Sequence, residues 1–151
     1  MSSHTKLEKI ACIGSGVIGA GWIARFIENG INVNVFDIAP ACEKKVYSTL
    51  NNADIAFSNL TSLPRIKKGH VEFKNTISEA VLDVDLIIES VPERLGIKHS
   101  VYAEIEKNCE RTALITSSTS GIMPTDLQSK MKYPERLYVG HPFNPVYLLP
   151  L

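Results

Sequence analysis

The spacing of apolar and polar positions changes along the chain, and each change marks an element. Ile10-Ala11-Cys12-Ile13 is a short continuous apolar run, as a strand buried on both faces requires. From Val17 to Asn29, Ile18, Trp22, Ile23, Phe26 and Ile27 recur at helical spacing, which predicts a helix with one face on a sheet and Gly30 as its stop. Asn32 to Phe36 predicts a second strand, and Ala41 to Phe57 a second helix, with Pro40 suited to its first turn. Ser58 to Gly69 is polar, is broken by Pro64, and reads as a connection. Val71 to Phe73 is a short strand and Ile77 to Leu82 a short helix. Asp85 to Ser90 is a strand with an apolar centre, and Lys98 to Glu110 a helix carrying Val101, Tyr102 and Ile105 on one face. Ala113 to Thr116 predicts a strand, Pro124 to Lys130 a short helix, and Leu137 to Gly140 the last strand. Strands alternate with helices throughout, which implies a mostly parallel sheet with helices on both faces.

The first strand runs into Gly14-Ser15-Gly16-Val17-Ile18-Gly19, three glycines spaced G-x-G-x-x-G, and then into the first helix. Strand, glycine turn and helix in that order open a dinucleotide-binding unit, so the expected fold is α/β, Rossmann-type and doubly wound. Gly14 allows the sharp turn, Gly16 lets backbone approach a pyrophosphate, and Gly19 lets helix and strand pack closely. Helix N–H groups at Val17, Ile18 and Gly19, together with Ser15, then face the phosphates. Asp37 ends the second strand eighteen positions after Gly19, near the spacing of the acid that accepts from the adenosine ribose hydroxyls. A carboxylate there repels a 2′-phosphate, which selects NAD over NADP as cofactor.

The bulk properties remove whole classes of function. At 151 residues, 44% of them hydrophobic, the chain makes one domain, residues 1–151, with a sizeable core. Lys+Arg and Asp+Glu both number 16, and the basic residues are scattered, so no nucleic-acid partner is expected. Cys12, Cys42 and Cys109 lack metal-ligand spacing; no metal site is expected, and they read as reduced thiols of a cytoplasmic protein. No apolar run approaches membrane-spanning length, and the N-terminus carries no signal-peptide pattern.

Ligands in such sheets bind beyond the carboxyl ends of the strands. Three loops there hold unusual residues: Glu89-Ser90-Val91-Pro92-Glu93-Arg94, Ser117-Ser118-Thr119-Ser120-Gly121, and His141-Pro142-Phe143-Asn144-Pro145. His141 is the histidine placed for chemistry, because imidazole titrates near neutral pH and can take the proton of an alcohol being oxidised. His4, His70 and His99 read as solvated surface.

Together with the glycine loop, these segments resemble the NAD-binding domain of the 3-hydroxyacyl-CoA dehydrogenase superfamily, over essentially the whole chain. The ending Gly140-His141-Pro142-Phe143-Asn144-Pro145-Val146-Tyr147-Leu148-Leu149-Pro150-Leu151 is more similar to the L-carnitine dehydrogenases within it. The acyl-CoA enzymes usually carry a second Phe where Pro142 stands and a second Ser where Gly121 stands. The resemblance implies that His141 is the catalytic base and that Ser120 binds the substrate oxygen. It places Ser118 and Asn144 beside nicotinamide and substrate, and makes Glu93 and Lys98 cofactor contacts. It also implies a glutamate partner for His141 about a dozen residues later, and an all-helical C-terminal domain that closes the cleft and forms a homodimer. Neither is within the 151 residues, so the chain is expected to be the first domain of a longer protein and nearly inactive alone.

The function expected is NAD-dependent oxidation of the 3-hydroxyl of a small hydroxy acid, L-carnitine to 3-dehydrocarnitine. A 3-hydroxyacyl-CoA or gulonate-type dehydrogenase is the alternative of the same class. A non-catalytic nucleotide-binding module is the alternative of another class, distinguished by its indifference to loss of His141.

Overall fold

The computed structural model describes residues 7–60 and 66–149. His4, Pro64 and the terminal Pro150-Leu151 lie outside the described residues.

The expected alternation of elements is present. β1 (Lys9–Ile13), α1 (Val17–Glu28), β2 (Asn32–Phe36), α2 (Cys42–Leu60) and β3 (Val71–Phe73) form the first half. α3 (Ile77–Ala80), β4 (Leu86–Glu89), α4 (Leu95–Asn108), β5 (Leu114–Ser117), α5 (Pro124–Gln128) and β6 (Leu137–Val139) form the second. The six strands make one sheet in the order β3-β2-β1-β4-β5-β6, and every pairing is parallel. The chain grows outward from β1 to β3 and then returns to lay β4 on the other side of β1. The carboxyl ends of β1 and β4 therefore flank the switch point, where such sheets hold their ligands.

Alternation along each strand divides the core. Ile10 and Cys12 of β1, Val33 and Val35 of β2 and Ile88 of β4 face Ala20, Trp22, Ile23 and Ile27 of α1 and Val46 of α2. Ala11, Ile13, Ile87 and Ile115 face the other way, against α3, α4 and α5 through Ala80, Tyr102, Ile105 and Leu127. One buried polar strand residue, Asn34, is satisfied by donating its side-chain amide to the Ala80 carbonyl at 2.9 Å. As the periodicity predicts, α1 turns Trp22, Ile23 and Ile27 inward; Ile18 and Phe26 sit at the edge of that face, with Phe26 stacked on Trp22 at 5.9 Å.

Element ends differ from expectation where local signals are weak. Three residues assigned to a connection, Ser58 to Leu60, extend α2, because no Gly or Pro intervenes before residue 64 and the Ser58 hydroxyl donates back to the Asp54 carbonyl. α4 begins at Leu95 rather than Lys98, since Leu95 and Ile97 stay exposed and add no core-facing pattern. α3 and α5 are shorter than expected, ending at Ala80 and Gln128. A single 3-10 turn, Pro134–Arg136, precedes β6, and its buried Arg136 donates to the carbonyls of Ala113 and Glu110 beyond the end of α4.

Among the described residues, no helix is long and apolar enough to cross a membrane, and no group of three or more His, Cys, Asp or Glu is placed to hold a metal. All three cysteines are free thiols.

The glycine turn and α1 approach closely at Gly19, where an added Cβ would lie 2.0 Å from the Gly14 carbonyl oxygen. Both atoms sit on rigid backbone, so Gly19→Ala should force α1 away from the glycine turn. The expected loss is about 1–3 kcal/mol or more, as for other overpacking substitutions, read from urea denaturation followed by far-UV circular dichroism. Wild-type stability in that variant would contradict the close packing of turn and helix.

Candidate active site

The site is built from loops at the carboxyl ends of the strands, and the glycine loop is the first. Gly14 leaves β1 at φ 91°, a conformation that L side chains rarely adopt, while its N–H donates to the Phe36 carbonyl at 2.9 Å. Ser15 is buried and donates twice to one oxygen of Asp37, from its N–H at 2.6 Å and its hydroxyl at 2.7 Å. The other Asp37 oxygen accepts from the Ala39 N–H at 2.9 Å. Partial burial pushes this carboxyl up, but the bonds from Ser15 and Ala39 and the charge of Lys45 outweigh it and hold it below the usual carboxylate range. Asp37 thus locks the turn while remaining charged.

Residues present here fit a dinucleotide. At Gly16 an added Cβ would meet nothing within 4 Å, so the loop leaves open space where backbone must approach a diphosphate. α1 starts there with no side-chain cap and no acidic residue in its first turn, which leaves its N-terminal N–H groups and positive dipole end available to an anion. A groove of about 740 Å³ adjoins the turn, lined among others by Gly14, Gly16, Asp37, Ile77, Val91 and Ile97, and suits an apolar purine face.

A second part centres on Glu89, the last residue of β4. Its side chain is 0% exposed and accepts four bonds. Oε1 takes the Lys98 ammonium at 2.7 Å and the Val91 N–H at 2.9 Å; Oε2 takes the Tyr102 and Ser117 hydroxyls, each at 2.6 Å. Lys98, expected as a cofactor contact, is 1% exposed and lies between Glu89 and Glu93, 3.2 Å from Glu93 Oε2. Glu93 Oε1 accepts the Thr119 hydroxyl and the N–H groups of Ser120 and Gly121 at 3.1 and 3.2 Å. Slight burial pushes the Glu93 carboxyl up, but the donors from Thr119, Gly121, Lys98 and Ser120 prevail and lower it from 4.5 to about 2. The Ser118 hydroxyl accepts from the Trp22 indole at 3.1 Å and lies 2.9 Å from the Ser90 hydroxyl, which stitches α1, β4 and β5 together.

The third part follows β6. Gly140 donates to the Ser117 carbonyl at 3.0 Å, which aligns this loop with the serine loop. His141 and Asn144 are exposed, and among the described residues neither side chain has a hydrogen-bond partner. The Phe143 ring lies 6.3 Å from the His141 ring. After a cis Asn144-Pro145 bond, Val146 is buried against α1, and Arg25 donates to the Tyr147 carbonyl at 3.2 Å.

Every predicted site residue lies on this carboxyl-end face or in the network beneath it. Glu89, Ser117 and Thr119 of the two loops, and Tyr102 and Trp22 of the helix faces, join them without having been assigned a role at the site. The available signals were a carboxylate closing an apolar strand, and Lys98 and Tyr102 one helical turn apart. His99 is not solvated surface as expected: its Nε2 lies 2.8 Å from the Asp126 carbonyl and ties α4 to α5.

The comparisons agree with this geometry. Residues 9–151 match the family model described as 3-hydroxyacyl-CoA dehydrogenase, NAD binding domain. The chain is 53% identical over 146 residues to an L-carnitine dehydrogenase of Mesorhizobium japonicum, covering 96% of this chain and 40% of that protein. It is 52% identical over 147 residues to an L-carnitine dehydrogenase/betainyl-CoA thioesterase of Rhizobium meliloti, covering 97% and 30%. Among solved structures, 5-formyl-3-hydroxy-2-methylpyridine 4-carboxylic acid 5-dehydrogenase, an NAD+ dependent dismutase, superposes with a TM-score of 0.84 at 38% identity, over 94% of this chain and 46% of that one. The chain spans less than half the length of these proteins. It belongs to the 3-hydroxyacyl-CoA dehydrogenase family, as the NAD-binding domain.

Two measurements test the site. Asp37→Ala should weaken NAD by roughly 10- to 100-fold, the worth of hydrogen bonds to a charged group, and narrow the preference over NADP; calorimetry with both nucleotides reads this. Equal affinities in the wild type would contradict the role of Asp37. The Glu93 carboxyl is lower in the folded state, so its contribution to stability is complete above about pH 4.5 and lost as pH falls toward 2. Glu93→Gln should therefore flatten the fall of Tm across that window, and an unchanged acid limb would show that the loop bonds do not form.

Proposed function

We propose that the protein carrying this chain oxidises the secondary hydroxyl of a small 3-hydroxy acid with NAD, and that its substrate is L-carnitine, converted to 3-dehydrocarnitine. One observation carries the reading: His141 stands exposed, without a hydrogen-bond partner among the described residues, at the same carboxyl end of the parallel sheet as the glycine loop and Ser120. The names of the two relatives above half identity support the choice of substrate.

Oxidising the alcohol removes a hydride from carbon and a proton from oxygen. NAD, when bound, supplies the hydride acceptor. The glycine loop and the α1 N-terminus hold the diphosphate, Asp37 the adenosine ribose, and Ser118 the nicotinamide end. An unprotonated nitrogen of His141 takes the hydroxyl proton as general base. The Ser120 hydroxyl, free of protein partners among the described residues, donates to the oxygen as negative charge develops on it. Asn144 orients the substrate beside them.

Carnitine's trimethylammonium group has no N–H to donate, so aromatic faces are the means of selecting it. The loop after His141 supplies two aromatic rings, Phe143 and Tyr147. In the structure Tyr147 is half-buried, whereas Phe143 is 62% exposed beside His141, which supports Phe143 as the aromatic face. A helical C-terminal domain that supplies the glutamate partner of His141 and pairs two copies, and a cytoplasmic location, complete the proposal. The greater length of the relatives supports a further domain.

Steady-state assays of the full-length protein should give a higher kcat/KM for L-carnitine than for neutral 3-hydroxybutyrate or a 3-hydroxyacyl-CoA. A higher value for the acyl-CoA would reassign the substrate and keep the dehydrogenase. His141→Ala should lower kcat by about 10²–10⁴-fold and leave NAD affinity intact. Undiminished turnover would overturn the role of His141, and a wild type that binds NAD without turnover of any of these alcohols would leave only a nucleotide-binding module.

A further inference from the structure

One side chain bridges the loop after β4 and the loop after β5. Glu93 is 43% exposed, yet its Oε1 gathers three donors from the second loop: the Thr119 hydroxyl and the N–H groups of Ser120 and Gly121. Its Oε2 rests against Lys98, which is buried on α4 and paired with Glu89 on β4. A loop without regular structure is thereby referenced to a strand and a helix that sit in the core. The Ser120 hydroxyl has no partner of its own among the described residues, so its backbone sets the position from which it reaches a ligand.

We propose that Glu93 is a positioning residue: it fixes the backbone of Ser120, and so the position from which the Ser120 hydroxyl reaches the substrate oxygen, with the Glu89–Lys98 pair holding Glu93 in place. The proposal rests on the reading of Ser120 given above. It differs from a cofactor contact, the role that family resemblance implies for Glu93, and the two roles separate in kinetics. A cofactor contact acts on NAD affinity, whereas a displaced Ser120 acts on the chemical step. Misplacing a reacting group by about 1 Å can cost on the order of 10²-fold in rate.

The test is a double-mutant cycle in the full-length protein, with kcat measured at saturating NAD and substrate and NAD affinity measured separately by titration. Glu93→Ala should lower kcat by about 10- to 100-fold with NAD affinity unchanged. Glu93→Gln retains a carbonyl that accepts from the loop and should recover most of that loss. If Glu93 acts through Ser120, adding Glu93→Ala to Ser120→Ala should cost little more than Ser120→Ala alone. Should the alanine variant fail to fold, the same cycle run with Glu93→Gln applies, its smaller loss vanishing on the Ser120→Ala background. The proposal is overturned if loss of Glu93 weakens NAD and spares kcat, or if its rate loss persists in full without Ser120. Wild-type kcat in Ser120→Ala would remove the reading of Ser120 itself, and the positioning role with it.

Discussion

A carboxylate buried at the end of a central strand governs the second half of this domain. Glu89 closes β4 between β1 and β5 and has no contact with solvent. A charge there is tolerable only when its oxygens are filled, and Lys98, Val91, Ser117 and Tyr102 fill all four positions. Burial foremost, and then the neighbouring Glu89 charge, push the Tyr102 phenol up, so it stays protonated as a donor. Buried pairs of this kind are often matched in stability by apolar residues of the same size, yet removing one partner typically costs about 3–5 kcal/mol. The network therefore contributes geometry more than stability. It sets the turn out of β4, the end of β5 and the first turns of α4 relative to one another.

The glycine turn uses the same logic with lighter parts. Asp37 directly follows β2, yet its carboxylate holds Ser15 of the neighbouring turn and Ala39 of its own loop. The residue proposed to meet the ribose thus also shapes the loop proposed to meet the diphosphate. Cys12, directly behind this turn, is a thiol pushed far up by burial and then by the charges of Asp37 and Glu89. It donates weakly to the Gly14 and Gly19 carbonyls and stays inert.

Sequence reading recovered what local chemistry encodes. The continuous apolar strands, Gly14, Gly19 and Gly30 mark β1, α1 and β2 to within a residue, because period and turn chemistry are properties of short segments. Boundaries slipped at the start of α4, where exposed Leu95 and Ile97 give no inward pattern, and at the end of α2, where no breaker stands. Lys98 shows the deeper limit. On a bare sequence it is a cation at a helix start near a ligand loop; the turn from β4 into α4 brings it against Glu89, and the parallel register of β4 with β5 sets Ser117 on the other oxygen of that carboxylate. His99 was misjudged for the same reason, since its partner on α5 lies 27 positions away. Contacts that cross the sheet are set by topology, and spacing along the chain does not report them.

Saturated and free groups divide the site in two. Glu89, Lys98, Ser15 and Thr119 have their hydrogen-bonding atoms committed inside the protein and can hold geometry, but they have little left to offer a reacting molecule. His141, Ser120 and Asn144 carry free side-chain donors or acceptors among the described residues, and each follows a strand end anchored by backbone or carboxylate bonds. A group that exchanges a proton in every turnover must be able to change partners, so it cannot itself be part of the rigid frame. Rigidity has to come from the residues next to it: Gly140 bonded to Ser117 before His141, and Glu93 beneath Ser120. That separation of holding from reacting lets the six-stranded sheet present the free side chains of His141, Ser120 and Asn144 from anchored backbone.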